Sequence, residues 1–234
     1  MLGVRDLMNN SSIFFFETFY FYSQIKNFVW DFTYHEHYSY FTVGPLKKYF
    51  AKLGMEIIDL EKNETKGGSI RFVLQLKGGK RKVKSIVNKF IKNEKDLKIN
   101  TLSGLKKYEK KITTSKKNFS NFLKSKNIPA MVGYGASATS TTLIYNYDLS
   151  SKLNYLVDDF KAKFNLYSPG EAIKVFDSKI IYKNSPDYIL ILAWRYAKKI
   201  IKKNIKFLKL GGKFVLPLPT PKIVTWNNYK KIIK

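Results

Sequence analysis

Short apolar runs alternate with segments of helical spacing through the second half of the chain. Two helices are predicted there, one from the turn after residue 134 to about Asn146 and one over 196–208. The apolar runs between them have the length of buried strands: 130–134, 155–157, 173–176, 188–193 and 214–216. Because such strands form parallel sheets covered on both faces, residues 127–234 are predicted to be an α/β, Rossmann-like domain. Prolines at 217, 219 and 221 are expected to end its regular structure.

The first half of the chain divides into three stretches. Residues 1–44 contain an aromatic run that is typical of a strand or helix made for burial. Residues 45–77 predict a short helix followed by two strands, with Gly67-Gly68 as the turn between the strands. Residues 78–126 are rich in lysine, lack proline and repeat their apolar positions with a helical period. This last stretch predicts a helical linker between two lobes, and a basic helix at a membrane surface is the weaker interpretation.

The charge of the chain is strongly positive, with 43 lysine and arginine residues against 17 acidic ones and a formal net charge of +26. A charge of this size attracts polyphosphates. Only four of these basic residues are arginine, however, and arginine is the side chain better suited to phosphates and base edges. We therefore expect solvated lysine faces and no nucleic-acid partner.

Two further classes of protein are disfavoured by the sequence. The aromatic run over 13–30 includes charged and polar residues and falls short of the roughly 20 uninterrupted apolar residues that a membrane span needs. No membrane partner is expected. The chain contains no cysteine, which excludes disulfides and thiolate metal sites and fits a reducing cytoplasm.

Both histidines of the chain lie in the tetrapeptide Tyr34-His35-Glu36-His37. Histidine exchanges protons near neutral pH, a neighbouring glutamate can orient an imidazole, and a tyrosine hydroxyl can donate to a developing oxyanion. On a strand, Tyr34 and Glu36 would face one way and the two histidines the other. Residue types alone leave three interpretations open, namely catalysis, metal binding and a structural pair.

A glycine-rich segment, residues 133–141 with the sequence Gly-Tyr-Gly-Ala-Ser-Ala-Thr-Ser-Thr, follows a predicted strand and opens a helix. Its backbone amides and helix dipole could receive a phosphate. Asp158 and Asp159 come at the end of the next strand, where an acid holds the ribose in dinucleotide folds. Because the third glycine of that fingerprint is absent, a phosphate site and a tight strand–helix connection both remain open.

The third candidate site is the segment 66–71, with the sequence Lys-Gly-Gly-Ser-Ile-Arg. Two glycines before a strand are typical of a hairpin turn. Arg71, which would project from that strand, could instead hold a pyrophosphate through two parallel hydrogen bonds. On the glycines alone the hairpin is the simpler interpretation.

In this order, the motifs resemble those of the SAM-dependent nucleotide-sugar C-methyltransferase family. Residues 34–41 are similar to its Y-H-E-H-x-S-Y-F segment, 67–71 to its G-G-S-[LI]-R element and 133–138 to its G-Y-G-A-x-A turn. The resemblance runs from about Phe14 to Val224, with further matches in register: 53–57, 157–159, Lys163, 168–170, 186–188, Trp194 and 211–215.

The resemblance implies a reaction and a role for each motif. The substrate would be a nucleotide-linked 4-keto-6-deoxy sugar, whose ketone acidifies the hydrogen on the neighbouring carbon, usually C3. His37 would remove that proton with support from Glu36, and Tyr34 would donate toward the enolate oxygen. The carbanion would then take the methyl group of S-adenosyl-L-methionine without a metal. The implied substrate-binding residues are His35, Arg71, Gly133, Tyr134, Gly135, Ala136, Ser137, Asp158 and Lys163.

The chain also departs from the family pattern. Thr139-Ser140 replaces a lysine and a glycine of the turn, and Arg195 replaces the usual asparagine after the tryptophan. Family members resemble three-part proteins, in which a cysteine-rich zinc module and a SAM-binding domain precede the region found here. Residues 1–44 look like a remnant of that SAM-methyltransferase domain. S-adenosyl-L-methionine is therefore expected to be held mostly by a domain missing from this chain or by a separate SAM-binding chain. The alternative is a truncated remnant or a non-catalytic module that binds a nucleotide or nucleotide sugar.

Overall fold

The computed structural model describes residues 1–64 and 67–233, which form two compact units. The first unit comprises Met1–Trp30 and His37–Lys110, and the second comprises Asp31–Glu36 and the chain from Lys111 onward. Residue 66 of the third candidate motif lies outside the described residues. The four stretches expected from the sequence are thus grouped differently in space. The interpretation of residues 1–44 as the remnant of a methyltransferase domain stays a prediction.

The first unit is built on a three-stranded antiparallel sheet in the order β1-β3-β2. Its strands are β1 (Phe14–Phe19), β2 (Met55–Asn63) and β3 (Ser69–Leu76), and its helices are α1 (Leu2–Asp6), α2 (Phe21–Lys26), α3 (Val43–Lys52) and α4 (Ile86–Asp96). Because β1 pairs with β3, the aromatic run and the predicted helix–strand–strand element belong to one unit. The helical linker that the sequence predicts begins with α4, which packs on α3 and β2 of this same unit.

The core of the first unit joins one face of the sheet to the helices beside it. Phe72 and Leu74 of β3 are fully buried there with Phe50 of α3 and Val87 of α4. The carboxylate of Glu94, which is also buried, accepts hydrogen bonds from the first amides of α3 and from the hydroxyl of Tyr20. A buried acid is tolerated here because it caps a helix N-terminus and is fully hydrogen-bonded.

The second unit contains a six-stranded sheet in the order β6-β5-β4-β7-β8-β9. Its strands are β4 (Met131–Tyr134), β5 (Leu153–Asp158), β6 (Val175–Asp177), β7 (Tyr188–Ile191), β8 (Lys213–Leu216) and β9 (Lys222–Val224). The first five are parallel and β9 is antiparallel to β8. The order reverses between β4 and β7, which is the Rossmann topology that the alternation of apolar strands and helices predicts.

Helices flank this sheet as expected. They are α6 (Ala138–Tyr147), α7 (Ile181–Asn184), α8 (Ala197–Lys203), α9 (Ile205–Lys209) and α10 (Tyr229–Ile233), and the long helix α5 (Leu102–Ser125) contributes to both units. Alternate strand residues such as Ile189 and Ile191 pack against α7 to α10 in one buried cluster. Leu156, which is also buried, points to the other side of the sheet and borders a cavity together with α6.

Two details of the predicted elements are wrong. The prolines after residue 216 do not end regular structure, because β9 follows them and pairs with β8. The helix expected over 196–208 is two helices, broken at Asn204. The Asn204 side chain donates to the carbonyl of Ile200 at 2.9 Å, and such local bonding by asparagine competes with helical hydrogen bonds. No helix among the described residues is long and apolar enough to cross a membrane.

Candidate functional site

A cavity of about 530 Å³ lies in the second unit, along α6. Its walls come from residues 33–35, from α6 and the turn before it, from Lys163 and from residues 166–169. Five residues proposed from the sequence therefore border one space: Tyr34, His35, Ala136, Ser137 and Lys163. The volume is in the range of small-molecule sites, about 300 to 1,000 Å³.

Tyr34 and His35 reach the cavity on a turn. The segment 30–32 forms a 3-10 turn, and residues 35 and 36 continue as a turn without strand pairing. The expectation for a strand, with Tyr34 and His35 on opposite faces, is therefore wrong, and both side chains border the same cavity. The hydroxyl of Thr142 in α6 donates to the carbonyl of Thr33 at 3.0 Å, which ties the turn to the helix.

Asp31 anchors the start of this turn. Its carboxylate is completely buried and accepts hydrogen bonds from the indole nitrogen of Trp194 at 3.0 Å and from Nη1 of Arg195 at 3.0 and 3.1 Å. Burial raises the pKa of the Asp31 carboxyl above its ordinary value, although Arg195 and Trp194 oppose that rise. Sequence reasoning missed Asp31, and the arginine in place of the family's asparagine was the signal that could have found it.

Glu36 and His37 complete the tetrapeptide. Glu36 is exposed and belongs to the second unit. His37 belongs to the first unit, where its half-buried ring lies 5.9 Å from the ring of Phe19, centroid to centroid. Among the described residues, no group of three or more histidine, aspartate and glutamate side chains is arranged to hold a metal ion.

Ser137 begins α6 and caps it. Its hydroxyl accepts the backbone N–H of Ser140 at 3.2 Å, which satisfies one of the free amides of the first helical turn. Beside it, Lys163 forms an ion pair with Asp158 at 3.0 Å and borders the cavity. Of the cavity-lining residues that the structure describes, Lys163 brings a positive charge and none is a carboxylate. The ion pair with Asp158 offsets part of this charge, so the preference of the cavity for a ligand with an anionic group is weak.

Several of the remaining cavity-lining residues carry a hydroxyl group, although most of the cavity wall is apolar. Sequence reasoning gave these residues no role: Thr33, Thr141, Thr142, Tyr145, Tyr167 and Ser168. Ser168 does lie in a segment of the family resemblance, whereas the tyrosines and threonines carry no motif that singles them out. Hydroxyls that both donate and accept suit a polyhydroxyl ligand.

The glycines of the turn are explained by packing. A Cβ atom at Gly133 would lie 2.6 Å from Leu156 and 2.8 Å from Leu192. Gly135 has a φ of +106°, and a Cβ atom there would lie 2.7 Å from that of Ala193. Of the two interpretations that the sequence left open, the tight strand–helix connection is thus sufficient to account for both glycines.

Asp158 is also engaged within the unit. One of its oxygens accepts from the backbone N–H of Ala136 at 2.8 Å and from Lys163, and the other accepts from the N–H of Phe160 at 2.9 Å. A ribose-binding acid needs oxygens that are free to accept from the sugar hydroxyls. Three hydrogen bonds thus occupy most of the acceptor capacity of this carboxylate, which leaves Asp158 little room to accept from a ribose.

Tyr134 and Asp159 belong to a second network at the same end of the sheet. The buried hydroxyl of Tyr134 donates to Asp159 at 2.9 Å, and the same oxygen of Asp159 accepts from Lys203 and Ser178. Burial raises the pKa of Tyr134. Burial would also raise the pKa of Asp159, but the hydrogen bonds from Lys203, Ser178 and Tyr134 outweigh it and lower that pKa. These bonds give Tyr134 a structural role away from the cavity lining.

Arg71 lies in the first unit, on β3 between the two other strands. Its guanidinium bonds Glu61 on β2 at 2.8 Å and Glu17 on β1 at 3.2 Å. The register places these three residues directly opposite one another. Cross-strand ion pairs of this kind support a sheet, and they occupy the donors that the sequence assigned to a pyrophosphate.

Comparison with known proteins finds a family whose profile matches much of the chain. Residues 64–219 match the profile of the family described as "C-methyltransferase C-terminal domain". The curated protein C-methyltransferase NovU of Streptomyces niveus is 26% identical over 226 residues, which are 95% of this chain and 54% of that protein. The chain thus spans about half the length of this relative.

One solved structure is also similar in part. UDP-D-quinovosamine 4-dehydrogenase from Vibrio fischeri matches with 18% identity and a TM-score of 0.31, and the match covers 43% of this chain and 96% of that one. A TM-score of this size supports no conclusion, and the fold assignment depends on the observed strand order alone.

Proposed function

Because the chain belongs to the family of C-methyltransferase C-terminal domains, we propose that it is the substrate-binding part of a SAM-dependent sugar C-methyltransferase. Its substrate is a nucleotide-linked 4-keto-6-deoxy sugar, and the methyl group goes to a carbon beside the ketone, C3. The observation that carries the proposal is the cavity that Tyr34 and His35 border together with Ser137 and Lys163.

The cavity suits the two ends of such a substrate. Lys163 and the capped N-terminus of α6 favour the anionic diphosphate. The hydroxyl-bearing residues of α6 and of 166–169 suit the sugar and the nucleoside ribose. Arg71, Gly133, Tyr134, Gly135 and Asp158, the other substrate-binding candidates, have partners or packing of their own, so the proposal does not depend on them.

The chemical step assigned to this chain is removal of a proton. The family resemblance alone assigns the C3 proton to His37, which belongs to the first unit and is not among the residues that line the cavity. The proton passes to His37, and the electron pair of the broken C–H bond moves toward the ketone oxygen to form an enolate. Tyr34 donates a hydrogen bond to that oxygen as its negative charge develops. Glu36 supports His37, and His35 contributes to sugar binding. The enolate carbon is then the nucleophile for methylation.

S-adenosyl-L-methionine is the methyl donor that the family implies. It supplies an electrophilic methyl group to the carbon nucleophile. Since Asp158 is engaged by Ala136, Phe160 and Lys163, we place the donor mostly on a protein region other than this chain, either a further domain or a separate SAM-binding chain.

Hydrogen exchange at C3 tests the proposal without the methyl donor. Thymidine-diphosphate 4-keto-6-deoxyglucose is incubated with the chain in D₂O, and deuterium at C3 is followed by NMR. The chain is expected to accelerate exchange above the buffer rate. His37→Gln is expected to lower the rate by about 100-fold or more, since general-base catalysis contributes on that order.

Two matched variants separate the roles of the tetrapeptide. His35→Gln should weaken substrate binding while the exchange rate at saturating substrate stays near that of the unmodified chain. Tyr34→Phe should lower the saturated rate instead, because its hydrogen bond forms with the enolate. Substrate binding without any exchange would favour the non-catalytic binding module, and exchange unaffected by His37→Gln would refute the assignment of the base.

A further inference from the structure

We infer that Arg195 is a positioning residue, which holds the segment 31–36 through a buried ion pair with Asp31 so that Tyr34 and His35 face the cavity. The effect of this ion pair on substrate binding rests on the proposed function. The ion pair, the segment 31–36 and the cavity all lie within the second unit.

The ion pair is enclosed on both sides. The Asp31 side chain is 0% exposed and that of Arg195 is 15% exposed. Both oxygens of the carboxylate lie within 3.1 Å of the same guanidinium nitrogen, and Trp194 adds a third hydrogen bond. Trp194 and Arg195 begin the 3-10 turn that starts three residues after the last residue of β7, so both donors lie near the carboxyl end of a central strand.

Arg195 contacts the turn and the helix that border the cavity. Its guanidinium carbon lies 4.2 Å from the ring centroid of Phe32, the residue after Asp31. Its second terminal nitrogen lies 3.4 Å from the hydroxyl of Thr139 in α6. One side chain therefore joins the sheet, the helix and the segment that carries Tyr34.

Charge makes the position of Asp31 depend on Arg195. A buried carboxylate without a compensating charge is strongly unfavourable, so loss of the arginine would break the guanidinium hydrogen bonds and leave Asp31 either to take up a proton or to move toward water. Tyr34 and His35 follow Asp31 by three and four residues on a turn that has no strand pairing, and they would move with it. The asparagine that the family resemblance places at position 195 carries no charge, so this dependence is a feature of this chain.

NMR of the histidine ring protons tests the inference, because the chain has only two histidines and both lie in the tetrapeptide. In Arg195→Gln, the His35 signals are expected to move toward the positions found in unstructured peptides. Affinity for thymidine-diphosphate glucose should fall by about tenfold, the loss expected when a positioned contact is displaced. Arg195→Lys, which keeps the charge, should recover part of both changes.

The matched control is Arg5→Gln, which breaks an Arg–Asp pair of 3.2 Å whose side chains are 52% and 63% exposed. This variant should leave the His35 signals and the affinity unchanged. If Arg195→Gln does not fold, Asp31→Asn removes the same pair while leaving no buried carboxylate, and it should displace the His35 signals in a folded chain.

His35 signals at their original positions in Arg195→Gln, or in Asp31→Asn where the first variant is unfolded, would overturn the inference. A chain that fails to bind thymidine-diphosphate glucose, but whose His35 signals move in Arg195→Gln, would overturn the proposed function and support the positioning role. The two failures are thus distinguishable.

Discussion

A Cβ atom at Gly135 would overlap Ala193, two residues after the neighbouring strand β7, and the backbone at Gly135 has a φ of +106°. From the sequence alone, a glycine at this position is explained equally well by close packing and by a phosphate that approaches the backbone. The packing explanation is supported by the positions of Leu156, Leu192 and Ala193, which the structure brings against the two glycines. These residues are far from the turn in the sequence.

Gly135→Ala is therefore expected to destabilise the fold more than Gly211→Ala. Gly211 has a similar φ of +93°, but a Cβ atom there meets nothing within 4 Å. Backbone strain should cost each variant about 1 to 2 kcal/mol. The overlap at Gly135 should add about 1 to 3 kcal/mol. Urea denaturation of both variants measures the difference, and equal losses would refute the packing explanation.

In the candidate site, too, some residues could be predicted from the sequence and others could not. The order of motifs singles out Tyr34, His35, Ser137 and Lys163 from the sequence, and these four residues border one cavity. Asp31 could not be predicted in the same way. A single aspartate becomes significant only once the fold buries it beside Trp194 and Arg195, 163 and 164 residues later in the chain.

At the scale of elements, the N-terminus of α6 links folding to the candidate site. Ser137 accepts the amide of Ser140 and also lines the cavity. A helix whose first amides are satisfied by its own cap is preorganised to present the remaining ones to a ligand.

Ser137→Ala is expected to lower the free energy of unfolding by about 1 kcal/mol, the usual cost of losing an N-cap. Ser137→Asp should retain the cap and most of the stability. Ser151→Ala, at an exposed serine of the same unit, serves as the control. Chemical denaturation measures all three, and a loss in Ser137→Ala no greater than in the control would contradict the role of the cap.

Hydrophobic periodicity predicted the strands and helices that form the cores. Runs such as 188–193 and 130–134 are apolar throughout because both faces of their sheet are covered, and this pattern needs no knowledge of distant residues. The turn over residues 34–36 was not predictable, since it is tied to α6 by the hydroxyl of Thr142, a distant residue. The break at Asn204 was missed because helical periodicity does not show that its side chain bonds the carbonyl of Ile200. The strand β9 was missed because the prolines before it were expected to end the regular secondary structure.

At the scale of the whole molecule, charge and family lead to different expectations. The net charge of +26 fits a polyanion-binding protein, whereas residues 64–219 belong to the family of C-methyltransferase C-terminal domains. The family match concerns ordered motifs and a fold, while the charge is a bulk property shared by unrelated proteins. The cavity with one lysine and many hydroxyls is consistent with the family.

The division of labour between this chain and the methyl donor is the central claim. The chain spans about half of its curated relative, and Asp158, the acid that faces its glycine-rich turn, already accepts three hydrogen bonds. We propose that this chain binds the substrate and that the methyl donor is bound by another region.

Calorimetry on the purified chain tests this claim most directly, with a thymidine-diphosphate sugar and S-adenosylhomocysteine titrated separately. We expect the sugar nucleotide to bind and S-adenosylhomocysteine to give no binding heat. The account would be contradicted if neither ligand bound, or if S-adenosylhomocysteine bound to the chain alone.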